Sequence, residues 1–114
     1  MAKMDKNARS ELLPGTLDML ILKTLTRGAM HGYGIARRIE GVSDAVLQVE
    51  EGSLYPALQR LRLNGWVEAE WAETERGRRA RFYRLTAAGR KHLGAEVSEF
   101  ERMIAAIGRV MQEA

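Results

Sequence analysis

Apolar side chains recur at Leu17, Leu20, Ile21 and Leu25, with Thr24 in the same stripe, at the three- and four-residue steps of a helix buried along one face. Thr16, just after Pro14 and Gly15, is the expected N-cap, and the helix is expected to stop near Gly28. His31, Gly32, Tyr33 and Gly34 form a tight lead-in to a second, shorter helix. In it Ile35, Ala36 and Ile39 point inward, Arg37, Arg38 and Glu40 stay wet, and Gly41 closes the element. Ser43 to Glu51 reads as a connector of weak helical or extended character. Gly52 and Ser53 then start a third helix, with Ser53 as N-cap, Pro56 in the first turn and Leu54, Leu58 and Leu61 facing inward. Asn64 and Gly65 supply a left-handed stop.

The period then changes. Val67, Ala69 and Trp71 alternate with Glu68 and Glu70, as in a half-buried strand. Beyond a turn at Gly77, the segment from Arg81 to Leu85 alternates again, with Tyr83 and Leu85 on one face and Phe82 and Arg84 on the other. Helices joined by a turn and followed by a hairpin make the outline of a winged helix-turn-helix. Thr86 caps a last helix in which Leu93, Val97, Phe100, Ile104, Ile107 and Met111 step by four and three, a heptad seam. A small domain has little left to cover such a seam, so a second copy of the chain is its expected partner. The expected divisions are an N-terminal arm over 1–12, a winged-helix domain over 13–86 and a dimerisation helix over 87–114. The fold class expected is mainly α (α+β), with a two-stranded β wing.

At 114 residues the chain fits one domain of common size. The net charge of +3 is too small to argue for nucleic acid by itself, so placement matters more. Arg76, Arg78, Arg79 and Arg81 crowd into one run, whereas Glu68, Glu70, Glu73 and Glu75 lie just before it. Cysteine is absent, which removes disulfides, thiol nucleophiles and thiolate metal sites, and fits a reducing cytoplasm. The only histidines, His31 and His92, are far apart, so no metal site is expected. No apolar stretch approaches a membrane span, and the polar start is unlike a signal peptide. Glu50 with Glu51, and Glu68 with Glu70, lack a neighbouring nucleophile or histidine. They read as solvated surface, so neither enzymatic activity nor a cofactor is expected, and the chain is placed in the cytoplasm.

Four segments together carry a resemblance: Leu17 to Leu25, His31-Gly32-Tyr33-Gly34-Ile35, Gly52-Ser53-Leu54-Tyr55-Pro56-Ala57-Leu58, and Tyr83-Arg84-Leu85-Thr86 with Gly89. The chain resembles the PadR family over roughly Leu13 to Leu93, and the Gly-Ser-Leu-Tyr-Pro-Ala-Leu string is the most specific part. The resemblance implies a transcriptional regulator, usually a repressor, built from a winged helix and a C-terminal dimerisation helix. The short terminal segment is similar to the smaller branch of the family. It also implies release of DNA on binding of a small-molecule effector near the dimer interface. Phe100 is the one aromatic on the last helix.

On a wheel of the third helix, Tyr55, Gln59 and Arg62 share a sector about a right angle from the leucine stripe. Gln and Arg make paired hydrogen bonds to base edges in the major groove, and Ser53 and Tyr55 near the helix start reach phosphate or base. The bland alternative is a solvated face with Tyr55 packed on the core. Arg76, Arg78, Arg79 and Arg81 fall at a wing tip, where guanidinium groups straddle phosphates or enter a narrow minor groove. An ordinary charged hairpin loop is their alternative. Tyr33 and Arg37 stand at the start of the second helix, a place for a phosphate, although Tyr33 equally suits the core. Trp66 and Trp71 are expected to fill the joint between wing, third helix and terminal helix. Double-stranded DNA and a second copy of the chain are thus the expected partners. The rival is a winged helix used as a protein-interaction module.

Overall fold

A computed structural model describes Leu12 and residues 14–113. The order is α1 (Pro14–Leu25), β1 (Met30–His31), α2 (Gly32–Val42), α3 (Glu51–Leu63), β2 (Val67–Glu73), β3 (Arg79–Leu85) and α4 (Ala87–Gln112). The strands form one antiparallel sheet in the order β1-β3-β2. The arm expected over 1–12 lies outside the described residues except for Leu12, which is half-buried against the core.

Helix α1 is the centre of the core. Leu17, Met19, Ile21, Leu22 and Leu25 are all buried, joined by Ile35 and Ile39 of α2 and by Leu54, Ala57, Leu58 and Leu61 of α3. The expected stripe is therefore present, but Met19 and Leu22 widen it until α1 is covered by α2, α3, α4 and β3. Thr24 is buried too, and its hydroxyl donates to the Leu20 carbonyl at 2.8 Å, so no polar atom is stranded.

Two of the three expected N-caps differ from the structure. Thr16 does not cap α1, because Pro14 is already its first helical residue, where fixed φ and a missing N–H suit the first turn. Ser53 does not cap α3: the helix begins at Glu51 after Glu50, whose side chain makes no capping bond. The acid at Glu51 favours that end through the helix dipole. Pro56 consequently falls in the second turn rather than the first. Thr86 is the N-cap of α4 as expected, its Oγ1 accepting the Gly89 N–H at 2.9 Å.

Helix α2 runs past Gly41 to Val42, and the chain then reverses through left-handed conformations at Asp44 and Ala45. Glu40 is half-buried rather than wet, its carboxylate accepting the Val49 N–H at 3.0 Å and so holding the connector to α2. At the end of α3, Gly65 has φ +78°. Its N–H reaches the Arg62 carbonyl and that of Trp66 reaches the Leu61 carbonyl, each at 3.0 Å, closing the helix with the paired bonds of a Schellman turn.

The wing pairs Val67 with Leu85 at its base and Glu73 with Arg79 at its tip. Its returning strand starts at Arg79, two residues before the expected Arg81. The hairpin loop closes with the Thr74 N–H donating to the Arg78 carbonyl at 2.7 Å and the Gly77 N–H to the Thr74 carbonyl at 2.9 Å. Gly77, with φ +79°, takes the left-handed position of that turn. A third strand, β1, pairs Met30 with Tyr83 and His31 with Phe82. Beyond Leu93, which is buried in the chain's own core, and half-buried Val97, the seam of α4 is open to solvent at Phe100, Ile104, Ile107 and Met111.

Candidate nucleic-acid interface

The wing changes character along its length. On the inner face the register pairs run from Val67–Leu85 through Ala69–Tyr83 and Trp71–Arg81 to Glu73–Arg79. Val67 and Tyr83 are buried, Ala69 and Leu85 half-buried, and Trp71 and Arg79 exposed. The outer face carries Glu68, Glu70, Phe82 and Arg84, and there the charges are matched: Arg84 bonds to Glu68 and lies 4.0 Å from Glu70. The inner-face arginines, Arg79 and Arg81, and the loop arginines, Arg76 and Arg78, are not. Among the described residues no carboxylate is in ion-pair contact with Arg76, Arg78, Arg79 or Arg81. The two faces therefore differ in how their cations are matched.

A groove of about 660 Å³ lies between the inner wing face and the N-terminal ends of α2 and α3. His31, Tyr33, Tyr55, Trp71, Arg79 and Arg81 are among its lining residues, and Arg78 borders it at the tip. Tyr55 is 47% exposed and does not pack on the core. Its ring rests on Gly32, where an added Cβ would come within 3.0 Å of the ring and hydroxyl. Glycine at that position lets the third helix and the start of the second approach, and so sets the depth of the groove.

Tyr33, at 65% exposure, is likewise not a core aromatic. Arg37 donates to its hydroxyl at 3.3 Å and lies 5.8 Å from the ring centroid, so the two form one unit on the outside of α2. His31 caps α2, its Nδ1 accepting the Gly34 N–H at 3.0 Å, and its ring meets Phe82 edge-on at 5.3 Å. Sequence reasoning gave His31 no role beyond the turn. A histidine one residue before a Gly-X-Gly helix start is the signal that could have found the cap.

Of the other expected contacts, Ser53 and Gln59 are exposed on α3 but do not line the groove. Arg62 is half-buried, its Nη2 donating to Gln59 Oε1 at 3.2 Å, while its Nε has no partner. Arg81 is also half-buried, with an unpartnered Nε. Arg76 borders a second hollow on the other side of the wing loop, beside Tyr33 and Phe82, so the arginine run divides around the tip. Trp66 fills the joint as expected, stacking on His92 with centroids 3.5 Å apart. Trp71 does not: it is 57% exposed on the wing, because the core ends at Ala69.

The family model described as "Transcriptional regulator PadR-like family" matches residues 21–95. An uncharacterised protein from Lysinibacillus sphaericus is 30% identical over 92 residues, 81% of this chain and 84% of its own length. Among solved structures, a transcriptional regulator from Clostridium thermocellum is similar with a TM-score of 0.77 at 30% identity, covering 83% of this chain and 92% of that one. A PadR family transcriptional regulator from Eggerthella lenta gives a TM-score of 0.74 at 26% identity, covering 88% and 85%.

Proposed function

This chain belongs to the PadR-like family of DNA-binding transcriptional regulators, and from that premise we propose that it represses transcription by occupying a palindromic operator as a homodimer. The observation that carries the reading is the groove with Tyr55 on one wall and, on the other, Arg79 and Arg81, which have no ion-pair partner among the described residues. A duplex laid across it meets cations without first breaking ion pairs. In this reading α3 enters the major groove, with Tyr55, Gln59 and Arg62 toward base edges and Ser53 toward phosphate. Arg76, Arg78, Arg79 and Arg81 hold the flanking backbone or minor groove, and Tyr33 with Arg37 takes a phosphate beside α2.

The open seam at Phe100, Ile104, Ile107 and Met111, with Val97 at its edge, supports homodimerisation. Leu93, expected in that interface, contributes to the subunit's own core. Two-fold symmetry then sets recognition helices about 34 Å apart, one turn of duplex. Release by a small-molecule effector, at a site next to the paired tails, is the regulatory step of this reading.

Anisotropy titration of the protein against its own upstream duplex and a scrambled control, across a salt series, tests it. Selective binding that weakens steeply with salt, and loses selectivity in Arg62→Ala, is the expected result. Equal, weak binding to both duplexes would overturn it in favour of a protein-docking role.

A further inference from the structure

We propose that Trp71 is a positioning residue for DNA binding: its indole holds the Arg79 guanidinium on the inner wing face, away from the carboxylate of Glu73. The inference rests on the wing reading given above.

Glu73 and Arg79 are register partners in the last pair of the hairpin. Directly opposed side chains of an antiparallel ladder are near neighbours, so an acid and a base there have every opportunity to pair. They do not pair. The Arg79 guanidinium lies 5.2 Å from the centroid of the Trp71 ring, and no carboxylate is in ion-pair contact with it among the described residues. An exposed cation–π contact and an exposed ion pair are comparable in strength, so a well-placed indole is enough to decide between them.

The placement of Trp71 supports the same conclusion. Its ring is largely in water, at the point where the inner face has run out of core, so burial does not account for a large aromatic there. It faces the same groove as Tyr55, and its own register partner Arg81 is on the same side. The consequence is chemical. A guanidinium resting on an indole keeps its full charge and its N–H edges for a phosphate, whereas one paired with Glu73 is neutralised and would have to break that pair on binding.

The test is a set of anisotropy titrations of the full chain on its upstream duplex: Trp71→Ala, Glu73→Gln, the double variant, Trp71→Phe and Arg79→Ala. Trp71→Ala is expected to weaken binding about five- to tenfold, with a salt slope lower by about one as a phosphate contact is lost. Glu73→Gln alone should change affinity by no more than about twofold. In the Trp71→Ala background the same change should restore affinity to within about twofold of the original, because the competing carboxylate is gone. Trp71→Phe, which keeps a ring, should retain most of the affinity and guards against a folding defect in the alanine variant.

A Trp71→Ala defect that Glu73→Gln leaves unchanged would overturn the proposal, placing Trp71 in direct contact with DNA or in the fold. So would a Trp71→Ala protein that binds normally. If Arg79→Ala itself binds like the original chain, the wing reading fails together with this role; if it is weak while Trp71→Ala is not rescued, only this role fails.

Discussion

Helix α1 and the distal half of α4 carry apolar stripes of the same three- and four-residue spacing, and the molecule treats them oppositely. Leu17, Ile21 and Leu25 are at most 2% exposed. Phe100, Ile104 and Ile107 are between 40% and 50% exposed, and Met111 reaches 76%. Composition is not the difference; cover is. α1 lies among α2, α3, α4 and the wing strand β3, whereas the buried residues of α4, Gly89 and Leu93, both lie in its first two turns and its distal half has none. Periodicity thus identifies a face that wants cover, and the fold decides whether the cover comes from within. For α1 it is the chain's own core; for α4 it is, in the proposed pairing, another tail.

The sharpest way to break this contrast is at the boundary between the two regions. A Cβ on Gly89 would lie 2.0 Å from the Trp66 carbonyl oxygen, a backbone atom that cannot swing aside. Gly89→Ala is expected to cost more than about 4 kcal/mol and to leave little cooperative unfolding in a urea titration followed by circular dichroism. A midpoint close to the original would show that the first turn of α4 lifts off freely.

Within the covered region, Ile21→Ala should lower stability by about 2–5 kcal/mol, because its side chain is fully enclosed and its neighbours relax only in part. At the uncovered stripe the same kind of measurement should respond differently. Ile104→Glu should change the unfolding of an isolated subunit by no more than about 0.5 kcal/mol, yet turn a dimer into a monomer at micromolar concentration in sedimentation equilibrium. Sedimentation unchanged by that charge would remove the tail from the interface. The smallest effect belongs to Asp18→Asn. It breaks the 2.8 Å Arg60–Asp18 contact between α3 and α1, but solvent reaches both groups, so about 0–1 kcal/mol is expected and thermal melts should barely move.

Much of the fold is readable from residue pattern alone, and each miss has its own physical cause. The helices, the wing and the long tail announced themselves through period, and Thr86 through its cap. Thr16 and Ser53 were misplaced because serine and threonine favour N-caps as a class, while Pro14 and the acid at Glu51 had equal claims to the helix starts. Strand β1 has two residues and no pattern of its own; it exists because β3 offers it backbone partners. For the site, alternation assigned Trp71 to the inner face together with Val67 and Ala69. It could not tell how far along that face the core extends, and so put the indole indoors. Exposure at Tyr33 and Tyr55 was undecided for the same reason.

The Thr86 hydroxyl has a mechanical consequence. It donates to the Gly65 carbonyl at 2.7 Å while accepting the Gly89 N–H at 2.9 Å, and the Thr86 N–H reaches the Trp66 carbonyl at 3.1 Å. One residue therefore rivets the root of the tail to the turn that ends α3. With 26 residues, α4 is a lever about 39 Å long, and a tilt of about 10° at its root sweeps the far end through about 7 Å. Run backwards, the same gearing turns a coarse displacement of the tail tip into a fine rotation at α3.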